Sequence, residues 1–293
     1  MSSSAPPELS LVVSTYESPQ ALDVVLQAVS ELPGSDFEVV VADDGSGPET
    51  ESVVRHWSAT LGSRLQHSWQ PDKGYRKTRV LNLGVLASTG TYLLFIDGDC
   101  LPRSGLRAAL HRAALPGWFL ASKRLHLSPR LSDRVLIDRV PVWRWSSTRL
   151  LAGAPRELVR APRETGRPGV LLPVRDRRRP WRPDQPDFSP PFDAYGFFLG
   201  VSRDDFDRVN GFDTRFVGWG GEDVDLAARL RRSGLRCGWP GPQATMLHLW
   251  HPEKMDSAGS NRMLVRETLE GTHIEALEGL RELASEVGNG AIR

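Results

Sequence analysis

The sequence has almost no cysteine. Cys100 and Cys237 are the only two in 293 residues. That is too few for a disulfide scaffold or a zinc site built from cysteines, and it suits a reducing compartment. Charge of one sign is lacking too: 37 Lys and Arg stand against 36 Asp and Glu, a formal net of +1. No global field therefore draws the chain to a polyanion. No apolar run approaches the roughly 20 residues that a membrane span needs, which leaves room only for peripheral contact with a membrane. Met1 to Glu8 is short and polar and holds no signal-peptide core, so the expected location is the cytoplasm. There is no internal repeat of fixed period. The chain is 40% hydrophobic, enough for a real core in one large domain or two small ones.

The N-terminal part alternates apolar runs with helical spacing. Leu9 to Val13 reads as a buried strand. Ser18 before Pro19 reads as an N-cap with Pro at the first helical position. Ala21 to Glu31 follows with Leu22, Val25, Leu26 and Val29 at helical spacing, and Pro33-Gly34 stops it. Phe37 to Val41, Leu65 to Trp69, Tyr92 to Ile96 and Gly117 to Ala121 are further expected strands; Pro48 to Leu61, Thr78 to Ala87 and Arg103 to Ala114 are expected helices. Such alternation predicts a parallel α/β sheet. From Lys123 to Pro191 the periodicity weakens and Arg, Pro and Trp accumulate. Val135 to Trp145 has helical character there, and Arg175 to Arg182, with Arg177-Arg178-Arg179, reads as a loop. Arg beside Trp suits nucleic acid, but the balanced charge and the lack of any nucleic-acid motif favour a lid or an acceptor-contacting insertion. Pro191 to Val201 restarts the core as a strand, with Phe192, Tyr195, Phe197, Phe198 and Leu199. A Ser202-capped helix and the turn Asn210-Gly211-Phe212-Asp213 follow. Ala244 to His251 reads as a last strand, and Asn261 to Glu270 and Ile274 to Val287 as a helical tail.

Polar clusters fall at the expected carboxyl ends of the strands, where open α/β sheets bind ligands. They are Thr15-Tyr16-Glu17, Asp43-Asp44 and Asp97-Gly98-Asp99. Each alone is ordinary turn chemistry; three at successive strand ends point to a site. Asp97 and Asp99 are two apart, so on a strand both would face one crevice. Hard oxygen ligands of this kind suit Mg²⁺ or Mn²⁺. His248 and His251 could add imidazole, and spacing does not choose between them. Asp43 or Asp44 could accept an imide N–H such as that of uracil, or serve as an Asx cap. Arg79 and Asn82 share a helix face and could touch a base, a phosphate or solvent. Trp219-Gly220-Gly221-Glu222-Asp223-Val224-Asp225 combines an aromatic, two permissive glycines and three carboxylates at a helix start. That suits carbohydrate processing, and equally an acidic helix N-terminus.

Together these motifs resemble the family 2 inverting glycosyltransferases with the GT-A fold. The likeness rests on Val12 to Tyr16, Asp43 to Ser46, Gly74-Tyr75-Arg76, Arg79 with Asn82-Leu83-Gly84, and Asp97 to Cys100. Asn210 to Asp213 followed by Gly218 to Asp223 looks like the catalytic segment of β-1,4-galactosyltransferases, found also in bacterial chondroitin-polymerase-type enzymes. Val224 stands where the galactosyltransferases carry a further Asp, and Met246 to His248 departs from their metal-ligand spacing.

The resemblance implies a Rossmann-like nucleotide-binding α/β/α sandwich, a single domain with an Arg/Pro/Trp-rich insertion and a helical C-terminal tail. Residues 9–122 would be the nucleotide-sugar half, 123–191 the insertion, 192–252 the acceptor and catalytic half, and 253–293 the tail. It further implies metal-dependent transfer, with inversion, of a hexose or N-acetylhexosamine from a UDP-sugar to a carbohydrate or glycoconjugate hydroxyl, galactose-type donors being favoured, in polysaccharide biosynthesis. Thr15, Tyr16 and Glu17 would line the nucleoside pocket, with Asp43 or preferably Asp44 at the uracil and Arg79 at the base or diphosphate. Asp97, next to Gly98, would sit near ribose and metal. Asp99 would bind Mn²⁺ or Mg²⁺ with His251, or with His248. Trp219 and Gly220 would border donor and acceptor, Asp223 would be the base and Glu222 would bind acceptor or sugar. The alternative is a non-catalytic nucleotide-sugar or glycan-binding protein on the same fold.

Overall fold

The computed structural model describes residues 8–157, 196–252 and 261–288. The expected Arg177-Arg178-Arg179 loop, Phe192 and Tyr195 lie outside these residues.

Strands β1 (Leu9–Thr15), β2 (Phe37–Asp43), β3 (Leu65–Trp69) and β4 (Tyr92–Asp97) lie in the order β3-β2-β1-β4, all parallel. β1 and β2 are buried almost throughout, with apolar centres at residues 11–13 and 39–42, because both of their faces are covered. Their side chains divide with a period of two. Leu11, Val13, Val39, Val41, Leu94 and Ile96 join one core with helix α1 (Pro19–Ser30). Val12, Ala42, Leu93 and Phe95 join the other, with α3 (Lys77–Ala87). α2 (Pro48–Leu61) packs on α1. Both α1 and α2 begin with Pro, which lacks only an N–H that the helix would leave unused. Ser18 occupies the N-cap position as expected, but its side chain makes no capping bond. Gly84 lets α3 close on the sheet: a Cβ there would lie 3.1 Å from Val12 Cγ1.

The sheet departs from the parallel expectation beyond β4. Its seven strands continue as β8 (Phe198–Ser202), β6 (Trp118–Ala121) and β9 (Arg236–Gly238), and β8 runs antiparallel to both β4 and β6. Apolar periodicity records that a strand is buried, not which way it runs. The reversal has a consequence: β8 starts opposite Ile96, so Gly196, just before it, lies at the edge where β4 delivers Asp97. A second sheet has the order β5-β10-β7: β5 (Cys100–Leu101), β10 (Met246–His248) and β7 (Arg124–His126). β10 is much shorter than the expected strand over 244–251.

Part of the stretch with weak periodicity is regular. Besides β7 it holds α5 (Pro129–Leu136) and α6 (Ser147–Glu157), with α4 (Leu106–Ala113) preceding β6. The expected helix over 135–145 is replaced by the end of α5 and a single 3₁₀ turn at Val142–Arg144. Ser128 caps α5 through Leu131 N–H. Arg139 has a φ of 56° and Pro141 has no N–H to continue a helix. Downstream come α7 (Arg203–Arg208), α8 (Glu222–Arg232), α9 (Arg262–Glu270) and α10 (Leu280–Gly288). The turn at Asn210 (φ 60°) fastens the tail: Arg281 N–H donates to Asn210 Oδ1 at 2.9 Å and Leu280 N–H to its carbonyl at 3.0 Å. Among the described residues no helix is long and apolar enough to cross a membrane.

Candidate active site at the carboxyl edge of the sheet

The carboxylates singled out in the sequence converge on this edge, each with its own partners. β4 ends at Asp97, and Gly98-Asp99 is a turn leading to β5. The i, i+2 argument for one shared strand face therefore fails. Asp97 Oδ1 accepts Lys77 Nζ at 2.6 Å and the Ser14 hydroxyl at 3.1 Å. Asp99 Oδ2 instead lies 3.5 Å from His248 Nε2 and 3.3 Å from His251 Nε2. Burial works to raise the Asp99 pKa, but the two imidazoles outweigh it and hold it well below the usual carboxylate range. His248 is buried, whereas His251 is half exposed. Gly98 permits close approach of the turn to β1: a Cβ would lie 2.6 Å from the Ser14 carbonyl and 3.5 Å from Thr15 Oγ1. The Thr15 hydroxyl is buried with no hydrogen-bond partner among the described residues.

At the end of β2 the two aspartates differ. Asp43 Oδ1 accepts Ser46 N–H at 2.8 Å, which is the Asx turn, and Oδ2 meets His67 Nε2 at 3.0 Å. Burial opposes its ionisation, yet these bonds lower its pKa. Asp44 accepts Gln70 Nε2 at 2.5 Å and Arg76 N–H at 2.7 Å; burial dominates and its pKa is raised. Arg79 donates to Gln70 Oε1 at 2.8 Å and pairs with Glu286 of α10 at 3.2 Å. Asn82 is fully buried and bonds both the N–H and the carbonyl of Phe212, so it fixes the fold and does not face a ligand. Tyr16 hydroxyl donates to Asp72 at 3.0 Å. Glu17, at a φ of 44°, accepts Gly47 N–H at 2.7 Å.

The Gly-Gly motif supplies the other wall. Gly220 and Gly221 have φ of 90° and 96°, values that disfavour any side chain. A Cβ on Gly221 would also press within 2.5 Å of Val265 Cγ2. The turn leaves Trp219 57% exposed and starts α8 at Glu222. Asp223 Oδ2 accepts Gly196 N–H at 3.0 Å, and its Oδ1 accepts Val224 N–H at 2.8 Å. Burial raises its pKa against the pull of these N–H groups. Glu222 is raised further, to about 7, by burial and by Asp223, despite the nearby Lys77. Its Oε2 has no hydrogen-bond partner among the described residues, while Oε1 lies 3.8 Å from Lys77 Nζ. Asp225 faces inward, paired with Arg229, and is a structural residue.

Lys77 is the residue that sequence reasoning missed. It ties Asp97 on β4 to Glu222 on α8, and only 13% of its side chain is exposed. Burial would strip its proton, but the charges of Asp97 and Glu222 keep it firmly protonated. The available signal was its place in the first turn of α3, where the helix dipole disfavours a cation and so implies compensating acids. His67 and Gln70, which hold Asp43 and Asp44, carried no such signal.

The Glu222 shift has a measurable sign. Between 4.5, the value of an unperturbed Glu, and about 7 the folded chain holds a proton that the unfolded chain releases. Stability from this group therefore falls as pH rises through that window. Glu222→Gln should flatten the fall in urea midpoint between about pH 5 and about pH 8. Equal pH slopes in variant and wild type would contradict the assignment.

This mixed sheet with acidic strand ends and a closing glycine turn defines the GT-A class of fold. Residues 10–112 match the pattern of Glycosyl transferase family 2, and residues 184–252 match that of the N-terminal domain of galactosyltransferase. The first part of the chain therefore carries a family 2 glycosyltransferase pattern, and the later part a galactosyltransferase-type segment. It is 31% identical over 242 residues to a validoxylamine A glucosyltransferase of Streptomyces hygroscopicus subsp. jinggangensis, covering 78% of this chain and 52% of that one. It is 28% identical over 241 residues to an Escherichia coli chondroitin synthase, covering 77% and 32%. The chain thus spans about half the length of the first relative and about a third of the second. A mannosyltransferase from Pyrobaculum calidifontis, solved in complex with GDP-Man and Mn2+, superposes with a TM-score of 0.53 at 21% identity, over 86% of this chain and 61% of that one.

Proposed function

We propose that the chain is an inverting, metal-dependent transferase that moves a hexose or N-acetylhexosamine, galactose-type favoured, from a UDP-sugar to the hydroxyl of a carbohydrate or glycoconjugate. The observation that carries this reading is the Asp223 carboxylate, held by two backbone N–H groups next to Glu222, which Lys77 links to Asp97. Asp223 takes the proton of the acceptor hydroxyl as that oxygen attacks the anomeric carbon from the face opposite the diphosphate. A single displacement inverts the centre, so an α-linked donor yields a β-glycoside. Glu222, with one unbonded oxygen and a pKa near neutrality, can donate or accept a hydrogen bond to a sugar hydroxyl. Trp219 offers its exposed face to the ring. Thr15, Tyr16, Glu17 and Asp44 surround the nucleoside, while Lys77 holds the Asp97 carboxylate in place.

The donors at the turn after β4 suit a divalent ion: two imidazole nitrogens approach one carboxylate oxygen. Asp99, His251 and His248 would hold it, and when bound it neutralises the charge growing on the diphosphate leaving group. The relatives name different sugars, and the P. calidifontis enzyme carries a guanosine donor. A donor-consumption screen with UDP-galactose, UDP-N-acetylgalactosamine, UDP-glucose and GDP-mannose in Mn²⁺ addresses both points. We expect uridine donors to be consumed, excess chelator to stop the reaction and Mn²⁺ to restore it. Full activity in chelator removes the metal. Consumption of GDP-mannose alone removes the uridine pocket. UDP binding without turnover across a broad acceptor panel favours the glycan-binding alternative.

A further inference from the structure

The second sheet sets a row of soft ligands beside Asp99. β10 pairs with β5 and β7 so that His248 lies opposite Cys100 on one side and His126 on the other. Residues paired across neighbouring strands project to the same face, which aligns Cys100, His248 and His126. One ligand atom each from Asp99, Cys100 and His248 lie within 4.8 Å of one another. The Cys100 thiol donates to Asp99 Oδ1 at 3.4 Å. The rings of His126 and His248 are 4.4 Å apart between centroids. Neither His126 Nε2 nor His248 Nδ1 has a hydrogen-bond partner among the described residues, although both atoms are buried. A buried ring nitrogen left without a partner is costly, so a pair serving only to fill the core would be expected to be satisfied.

We propose that Asp99, Cys100 and His248, with His126 as a further nitrogen donor, form a site that takes Zn²⁺ or Co²⁺ in preference to Mn²⁺ or Mg²⁺. This rests on the reading of Asp99 as a metal-binding residue and changes its consequence. Mg²⁺ and Mn²⁺ favour carboxylate and carbonyl oxygen, whereas thiolate and imidazole suit Zn²⁺ and its tetrahedral analogues. Binding releases the Cys100 thiol proton to solvent, leaving a thiolate on the ion and neutral imidazoles. Because Asp99 and His248 are shared, Zn²⁺ held here displaces Mn²⁺ and inhibits transfer.

The test is a Co²⁺ titration of the full chain after removal of metals, followed by absorption. The expected result is a near-ultraviolet thiolate-to-Co²⁺ charge-transfer band, bleached by one equivalent of Zn²⁺. Cys237→Ser leaves Cys100 as the only thiol of the chain, so the band should persist there. Cys100→Ser should lose it and bind Zn²⁺ about tenfold or more weakly; His126→Gln should weaken Zn²⁺ by a similar factor and keep the band. Should Cys100→Ser fail to fold, the Cys237→Ser spectrum still decides. Metal binding in Cys237→Ser without that band overturns the soft site but leaves the Asp99-histidine reading standing. Failure to bind either Co²⁺ or Mn²⁺ overturns both.

Discussion

Asp223→Asn is expected to lower sugar transfer by about 10²- to 10⁴-fold, the usual contribution of a positioned general base, and to leave UDP binding nearly intact. Both carboxylate oxygens of Asp223 accept backbone N–H groups, from Gly196 and Val224. An Asn can present one oxygen to one of them and must turn its NH₂ toward the other. It also has no lone pair basic enough to take a hydroxyl proton at neutral pH. The residues assigned to the nucleoside lie on other elements, at the ends of β1 and β2, and do not depend on this carboxylate. Steady-state transfer rates and calorimetric UDP titration of the same preparation separate the two effects. Wild-type-like turnover in the variant removes Asp223 as the base; a comparable loss of UDP affinity would make it a structural residue.

Arg229→Met is expected to destabilise the fold by about 3–5 kcal/mol, the cost of breaking a buried ion pair from one side. Arg229 has no exposed surface, and Asp225 nearly none. The guanidinium gives Nε and Nη2 to Asp225 Oδ2, and Nη1 to the carbonyls of Val209 and Gly211 at 2.8 and 2.9 Å. Asp225 Oδ1 accepts the Thr268 hydroxyl at 2.6 Å. Without Arg229 the Asp225 charge stays buried with that hydroxyl as its named partner, and two carbonyls lose their donor. Asp225→Leu combined with Arg229→Met removes the stranded charge and should recover a substantial part of the loss. Urea denaturation of wild type, both singles and the double provides the cycle. A single-variant loss under about 1 kcal/mol would show the pair to be dispensable. The pair also matters to the site, because it locks α8 against the 209–213 turn and so sets where the first turn of that helix carries Glu222 and Asp223.

The local signals that proved readable were those a short stretch carries by itself. Apolar runs located β1 to β4 and proline starts located α1 and α2. The Gly-Gly turn before an acidic helix was visible because only glycine sits readily at the φ values found there. An acidic helix start was one of the two readings of that motif, and Asp225, paired with Arg229 four residues on, fits it. The galactosyltransferase-type segment was legible for the same reason: its motif is contiguous.

What each carboxylate does was decided by tertiary structure alone. Asp97 and Asp99 look like one pair in the sequence, yet a turn sends one to Lys77 and the other to His248 and His251. Asn82, readable as a ligand contact, is spent on the backbone of Phe212. The antiparallel course of β8 puts Gly196 beside Asp223, and the register of β10 aligns Cys100, His248 and His126. Periodicity and turn chemistry report the burial and conformation of neighbouring residues. Strand order, direction and register are set by contacts between distant segments, and those bring the charges together.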